Sequence, residues 1–191
     1  MSLSAVVADD DADVRSALCA ALEVDRRFAI IAVAASAEEV VAAVMRKRPA
    51  AVLLDVRMPG GGVQAARQIR ATGLSVVVVV VSPQVDAALV ADMLEAGARG
   101  VLVKGRLGRD LPDLVARCCA GEVVLSTPTA SAGLAIIAGR KREFFRRQPE
   151  PHRGPAAGRP LQPQPPAGHG GLVRHRHQAP MAGRGTHRLR V

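Results

Sequence analysis

The chain has 191 residues, of which 49% are hydrophobic, with three cysteines, three phenylalanines and no tryptophan or tyrosine. This length allows one good core plus an appendage, and three cysteines are too few for a disulfide scaffold or a zinc site. The apolar runs, such as the six valines at 76–81, are too short to span a membrane. The net charge of +9 is unevenly distributed along the chain. Residues 1–139 hold 14 basic and 15 acidic residues, whereas residues 140–191 hold 12 basic and 2 acidic residues. This distribution indicates a near-neutral domain with a strongly basic tail.

Ten segments between residues 5 and 120 alternate between strand and helix patterns. The strand segments are continuous apolar runs, whereas the helix segments carry apolar residues three or four positions apart. Ser36 and Glu39 form a capping box, and Gly73 and Gly97 follow helix patterns. In chain order we predict a strand at 5–8, a helix at 13–22, a strand at 28–34, a helix from 36 to about 48, a strand at 51–54, a helix at 63–71, a strand at 75–81, a helix at 83–95, a strand at 100–103 and a helix at 111–120.

Continuous apolar strands indicate burial on both faces, which is typical of a parallel sheet covered by helices. Repeated strand–helix units with right-handed crossovers predict a doubly wound α/β fold, with five parallel strands flanked by five helices. In such sheets, binding sites lie beyond the carboxyl ends of the strands.

Polar side chains follow four of the five predicted strands: Asp9 and Asp10 follow the first, Asp55 the third, Ser82 the fourth and Lys104 the fifth. Any one of them is explained by a polar turn, but the five together favour a shared site. Crowded carboxylates require a cation, and their oxygen atoms suit Mg²⁺. A carboxylate beside that metal can act as a nucleophile toward a phosphoryl group, with an ammonium and a hydroxyl stabilising the phosphoryl oxygens.

The chain resembles the receiver domain of two-component response regulators over roughly residues 3–125. The resemblance rests on the acidic pair Asp9-Asp10, on Asp55 in "LLDVRMPGG", on Ser82 after the valine run and on Lys104 in "GARGVLVKG". It implies a flavodoxin-like receiver domain at residues 1–125 that accepts a phosphoryl group on Asp55 from a sensor histidine kinase.

The resemblance also implies roles around the acceptor. Asp10, Asp55 and the backbone carbonyl of Arg57 would bind Mg²⁺, with Asp9 acting mainly through water. Ser82 would be the switch hydroxyl and Lys104 the contact to the phosphoryl group. The chain would not be an enzyme beyond autocatalysed phosphoryl acceptance and release, and it would be cytoplasmic, as its few, reduced thiols also indicate.

Two positions depart from the family pattern. Many receivers carry an aromatic residue three positions before the lysine, where this chain has Val101, so we expect altered signal transmission. Gly105 stands where many members have proline, and a backbone without proline leaves that loop freer.

The segment "AGEVVLSTPTASAGL" resembles the linker of the NarL/LuxR-type subfamily, in which a helix-turn-helix DNA-binding domain follows the receiver. We therefore expect a linker helix within residues 126–147 and transcriptional regulation as the implied output. Residues 149–191 instead hold eight prolines, seven glycines and no aspartate. This composition predicts a disordered basic tail at 148–191.

Three interpretations of that tail stay open: a basic arm that binds nucleic acid without sequence preference, a solvated tail, and the out-of-frame product of a GC-rich gene. For the whole chain, the alternatives are a stand-alone receiver that stores phosphate or docks a partner, and a phosphatase of the haloacid dehalogenase-like class. The latter would use Asp9 as nucleophile and Asp11 as general acid in "VVADDDADV". A homodimer is compatible with the receiver alternatives.

Overall fold

Strands and helices alternate throughout residues 2–147, the part of the chain that the computed structural model describes. The strands are β1 (Leu3–Ala8), β2 (Phe28–Ala34), β3 (Ala51–Leu54), β4 (Val77–Ser82), β5 (Gly100–Val103) and β6 (Val124–Ser126). The α-helices are α1 (Ala12–Glu23), α2 (Ala37–Lys47), α3 (Gly62–Ala71), α4 (Ala87–Glu95), α5 (Leu111–Cys119) and α6 (Ala130–Arg147), and two 3₁₀ turns (Lys104–Arg106 and Gly108–Asp110) join β5 to α5.

The strands form one parallel sheet in the order β2-β1-β3-β4-β5-β6. The chain moves outward from β1 in one direction to β2 and in the other direction to β3, so the topology switches between β1 and β3. In doubly wound sheets this switch point opens a crevice at the carboxyl ends of the strands. The register aligns the last residues of β1 and β3, because Ala8 pairs with Leu54, whereas β4 continues for two residues beyond Val80, the partner of Leu54.

Helices cover both faces of the sheet, as the continuous apolar strands predicted. On one face α1 and α5 pack through side chains such as Leu22 and Val115, which are fully buried. On the other face α2, α3 and α4 pack through side chains such as Val44, Ile69 and Met93. The β-branched valines of β4 fit this two-sided burial, since they pack well on a pleated surface.

Most predicted elements are present, with two corrections. The helix expected from residue 83 begins at Ala87, because the Asp86 side chain accepts the Leu89 N–H at 2.7 Å and caps the helix there. A sixth strand, β6, pairs with β5 inside the segment "AGEVVLSTPTASAGL", for which the sequence predicts a linker. The doubly wound fold is thus confirmed, while the count of five strands is wrong by one.

The predicted linker segment contains α6. The domain boundaries predicted after residues 125 and 147 stay predictions, and the predicted tail at 148–191 lies outside the described residues. Among the helices of residues 2–147, none combines the length and the apolar character that a membrane crossing requires.

Candidate functional site

Asp9 and Asp55 lie side by side where β1 and β3 end, at the switch point of the sheet. The Asp55 N–H continues the ladder by donating to the Ala8 carbonyl at 2.8 Å, and the Asp9 N–H donates to the Ala34 carbonyl at 3.1 Å. The two acids are almost fully buried, with exposed fractions of 1% for Asp9 and 3% for Asp55, whereas Asp10 is exposed. The backbone therefore holds two carboxylates inside the edge of the sheet and a third at its opening.

The three acids can share one cation. Asp9, Asp10 and Asp55 each offer a carboxylate oxygen, and these oxygens lie within 4.8 Å of one another. Oxygen atoms bound to one Mg²⁺ ion lie about 3 to 4 Å apart, because each is about 2.1 Å from the metal. The donor set therefore fits Mg²⁺ after a small inward movement of the side chains.

Lys104 brings a positive charge to the same edge from the end of β5. Its Nζ lies 2.8 Å from Oδ1 of Asp55 and also pairs with Oδ2 of Asp9. Burial by itself lowers the pKa of Lys104, but the hydrogen bonds and charges of Asp55 and Asp9 outweigh it, and the net pKa is raised. The ammonium stays protonated between two acids that otherwise repel each other.

The Asp55 carboxylate is oriented by the loop that follows it. Its Oδ2 accepts the Arg57 N–H at 2.6 Å, while the Gly62 N–H donates to the Val56 carbonyl at 2.9 Å and closes the loop. A Cβ atom on Gly62 would lie 2.3 Å from the Asp55 carbonyl oxygen. Only glycine lets α3 begin this close to Asp55, a constraint that the run of glycines indicated but that the sequence reasoning did not use.

Asp9 is also held by groups of its own segment. Its Oδ1 accepts the Asp11 N–H at 3.1 Å, and Arg15 reaches back from α1 to donate from Nη1 to the Asp9 carbonyl at 2.6 Å. The sequence reasoning missed Arg15. The available signal was its place one helical turn after the acidic run, with the side chain able to return to the start of the helix.

Ser82 lies at the same edge, at the end of β4, and its hydroxyl bonds to the loop that follows it. The residue is 1% exposed, and its hydroxyl donates to the Gln84 carbonyl at 2.9 Å. A cavity of about 600 Å³ connects this loop to the residues after Asp55, and its lining residues are Val56, Arg57, Ser82, Gln84, Val85, Asp86 and Leu89. The loop that follows Ser82 therefore borders this cavity.

Val101, the position that lacks an aromatic side chain, is fully buried in β5. It belongs to the core on the α4 side of the sheet, together with Val80, Val90 and Met93. All the site residues predicted from the sequence therefore have a defined place, and Asp9, Asp10, Asp55 and Lys104 are brought together. Their roles, like those of Ser82 and the Arg57 carbonyl, stay predictions.

Comparison with known proteins identifies the fold and its relatives. The family described as the response regulator receiver domain matches residues 5–116. The transcriptional regulatory protein LnrK of Bacillus subtilis is 31% identical over 121 residues, which are 63% of this chain and 55% of LnrK. The DNA-binding transcriptional activator DevR/DosR of Mycobacterium tuberculosis is 30% identical over 132 residues, 69% of this chain and 61% of that protein. The chain thus spans a little more than half the length of these relatives.

Solved structures give the same result. A LuxR-family two-component response regulator from Aurantimonas sp. SI85-9A1 aligns with a TM-score of 0.65 at 25% identity, covering 74% of this chain and 99% of that one. The signal receiver domain of the NarL response regulator from Mycobacterium tuberculosis aligns with a TM-score of 0.61 at 28% identity, covering 63% and 98%. These matches favour the receiver over the haloacid dehalogenase-like alternative.

Proposed function

The chain belongs to the response regulator receiver domain family, and from this premise we propose that Asp55 accepts a phosphoryl group from a sensor histidine kinase. The observation that supports this most is the position of Lys104, whose Nζ lies 2.8 Å from Oδ1 of Asp55 at an edge where three carboxylates converge. The matched family is not a catalytic one, so the chemistry proposed for this chain is limited to acceptance and release of the phosphoryl group.

In the proposed transfer, a carboxylate oxygen of Asp55 attacks the phosphorus of a phosphohistidine. The oxygen–phosphorus bond forms as the nitrogen–phosphorus bond breaks, and the departing imidazole takes up a proton from solvent. Lys104 balances the negative charge that the phosphoryl oxygens bring into the site. The Arg57 N–H keeps the carboxylate oriented, because it binds one of the two Asp55 oxygens at 2.6 Å.

Mg²⁺ fits the proposed site through its oxygen donors. Asp10, Asp55 and the Arg57 carbonyl would hold it directly, and Asp9 would act through water. When bound, the ion supplies positive charge that neutralises the phosphoryl oxygens during transfer. Asp9 is already paired with Lys104, which is compatible with a less direct role for Asp9 at the metal.

Transcriptional regulation is the output that we propose for the protein, in the cytoplasm and with a homodimer as one possible assembly. The support is the printed function of its relatives, since LnrK is a transcriptional regulatory protein and DevR/DosR a DNA-binding transcriptional activator. The second candidate is a stand-alone receiver that stores phosphate or docks a partner. It is favoured by the composition of residues 149–191, whose eight prolines and seven glycines do not suit a recognition helix.

Phosphoryl acceptance is tested with acetyl phosphate as the donor. The full chain is incubated with acetyl phosphate and Mg²⁺, and the intact mass and the modified peptide are measured. We expect one phosphoryl group on the peptide that contains Asp55, and much slower labelling in EDTA. Asp55→Asn should abolish the labelling, whereas the matched control Asp113→Asn, on the exposed surface of α5, should leave it unchanged. Equal labelling of Asp55→Asn, or labelling that does not depend on Mg²⁺, would contradict the proposal.

A further inference from the structure

Helix α6 packs against α4 through the face that carries Gly133 and Arg140. A Cβ atom on Gly133 would lie 2.5 Å from Cβ of Val90, so the two helices approach closely at this point. Arg140 lies two turns further along α6, where it pairs with Asp92 at 2.8 Å and with Glu95 at 2.7 Å. These contacts define the side of α6 that faces the domain.

A neighbouring side of α6 carries apolar side chains that are exposed. It consists of Leu134, Ile137, Lys141 and Phe144. These residues are spaced by three, four and three positions, which places them in one stripe along the helix. Leu134 is 50% exposed and Phe144 is 60% exposed. Because α6 has 18 residues and α4 has 9, α6 is about 27 Å long and its second half extends beyond α4.

The stripe continues onto β6 through a cavity of about 710 Å³. The cavity is lined by Leu134 from the stripe and by Val123 and Leu125 from the segment that forms β6. Of the six large apolar side chains that are exposed within residues 2–147, three belong to this surface: Val123, Leu134 and Phe144. We call the surface formed by Val123, Leu125, Leu134, Ile137 and Phe144 the apolar patch. Contiguous apolar patches of this kind mark interaction sites.

Positive charge surrounds the apolar patch. Arg70 and Arg99 line the cavity, and each donates to a backbone carbonyl, which leaves its charge without a counter-ion. Lys141 lies within the stripe itself. None of these three side chains forms an ion pair with a carboxylate in the part of the chain that the structure describes. Residues 140–147 add to the charge, since they comprise five basic residues and one acidic residue.

This charge determines which partner fits the apolar patch. Pairing the patch with that of a second copy of the chain would bring like charges together, so self-association is disfavoured. Nucleic acids are anionic, but proteins contact them mainly through hydrogen-bond donors rather than through a stripe of Leu and Phe side chains. A bilayer of anionic lipids offers both negative head groups and an apolar layer. Helices with Leu and Phe on one face and Lys or Arg beside them lie in this interface, with the apolar face buried by about 5–10 Å.

We propose that the apolar patch docks this protein onto the surface of an anionic lipid bilayer. Leu134 and Phe144 enter the boundary of the acyl layer, and the surrounding basic side chains contact the lipid head groups. The attachment is peripheral and reversible, because it uses one face of a helix. Helix α6 stays packed on α4, since a different face makes that contact. The inference is independent of the proposed function, because no step requires a phosphoryl group on Asp55.

Co-sedimentation of the full chain with lipid vesicles tests the docking at about 150 mM salt. We expect binding to vesicles of equal parts phosphatidylglycerol and phosphatidylcholine, and little binding to phosphatidylcholine alone. The double variant Leu134→Gln/Phe144→Gln should bind the anionic vesicles about tenfold more weakly, because two apolar side chains no longer leave water. The matched control is Val24→Gln/Met45→Gln, which removes two apolar side chains of 86% and 54% exposure outside the apolar patch and should leave the affinity unchanged.

A second pair of variants tests the contribution of charge. Lys141→Gln should weaken binding to the anionic vesicles about fivefold, since each basic side chain near an anionic surface contributes about this factor. Lys47→Gln, at the exposed end of α2, is the matched control and should bind as the wild type does. Equal affinities of the two variants would contradict the proposed contact between Lys141 and the head groups.

The outcomes distinguish lipid from the other partners. Equal binding to both vesicle types overturns the proposal, and so does an unchanged affinity of the double variant, which would show that basic charge alone attracts the chain. An equal loss of affinity for duplex DNA in the double variant would assign the patch to nucleic acid. Conversion of a dimer to a monomer by the same variant, measured by analytical ultracentrifugation, would assign it to self-association, and either result overturns lipid docking. If circular dichroism shows that the double variant does not fold, the comparison of Lys141→Gln with Lys47→Gln decides the question.

Discussion

Lys104 joins two buried carboxylates with a single ammonium group, since its Nζ is 2.8 Å from Asp55 and also pairs with Asp9. The exposed side-chain fractions are 19% for Lys104, 1% for Asp9 and 3% for Asp55. A buried carboxylate without a cation is costly, so this ammonium stabilises the metal-free state of the site. The charge of Lys104 therefore partly neutralises the two carboxylates before Mg²⁺ or a phosphoryl group binds.

Replacing Lys104 with Met should destabilise the metal-free protein. We expect the free energy of unfolding to fall by about 3 kcal/mol, because two buried carboxylates lose their cation. Mg²⁺ should recover more stability in the variant than in the wild type, since it binds to a more negative site. Urea denaturation with and without Mg²⁺ measures both effects. Lys47→Met, at the exposed end of α2, is the control, and an equal loss in the two variants would show that the effect is not specific to the site.

The contribution of Lys104 should disappear at high pH. Burial lowers its pKa, but the hydrogen bonds and charges of Asp55 and Asp9 raise it further, so the folded pKa lies above the ordinary value of 10.5. A pKa raised on folding gives stability that is fully present below pH 10.5 and is lost as the pH rises through the folded pKa. The stability difference between wild type and Lys104→Met should thus be constant near about pH 8 and smaller near about pH 11.5. A difference that grows with pH would contradict the assignment.

Gly62 should be required for both stability and phosphoryl acceptance. A Cβ atom there would lie 2.3 Å from the Asp55 carbonyl and 2.7 Å from Val56 Cα, and neither is a flexible side chain that can move. We expect Gly62→Ala to cost about 1 to 3 kcal/mol, as overpacking does, and to slow labelling by acetyl phosphate because Asp55 is displaced. Gly105→Ala is the matched control, since a Cβ atom there meets nothing within 4 Å. Thermal unfolding and intact-mass kinetics measure the two effects.

The parts of the fold that were predictable from sequence are those governed by local physics. The predicted Ser36 cap at the start of α2 is present, because the Glu39 N–H donates to the Ser36 hydroxyl at 3.2 Å, while the Glu39 carboxylate accepts the N–H of Ala35 at 2.8 Å where a full capping box would have that of Ser36. The continuous apolar runs gave the bounds of β2, β3 and β5 as the structure has them. Parallel strands have their carboxyl ends at the same edge of the sheet, and this rule alone was enough to predict that Asp9, Asp55 and Lys104 lie together.

The parts that were not predictable depend on competition or on distant contacts. Pro83 is compatible with the first turn of a helix, but Asp86 caps α4 three residues later and the Ser82 bond to Gln84 keeps the intervening residues in a loop. The short strand β6 has too few residues to show a period. The pairing of α6 with α4 depends on a glycine at position 133, and a single glycine in a helix pattern does not reveal what approaches it.

Placing an aromatic side chain at position 101, where this chain has Val101, should destabilise the fold. Val101 is fully buried in the core beneath α4, so a phenyl ring there must displace its neighbours. We expect Val101→Phe to lower the free energy of unfolding by about 1 to 3 kcal/mol. Val123→Phe is the control, because Val123 is 51% exposed and should tolerate the ring. Urea denaturation compares them, and an unchanged stability of Val101→Phe would mean that the core already contains space for an aromatic residue.

DNA binding by this chain should be weak, sensitive to salt and independent of the base sequence. Residues 140–191 hold 12 basic and 2 acidic residues, so they attract phosphates, and each contact releases counterions that added salt opposes. Reading bases requires side chains held rigidly in the major groove, and a segment with eight prolines and seven glycines among residues 149–191 is not expected to hold them.

The chain is titrated against its own promoter and against a scrambled duplex of equal length, at low salt and at about 150 mM salt. We expect equal affinities for the two duplexes and a steep loss with salt, whether or not Asp55 is phosphorylated. A preference of about a hundredfold or more for the promoter would contradict this prediction, and it would show that residues 140–191 contain a DNA-binding fold without the apolar periodicity of a helix-turn-helix domain.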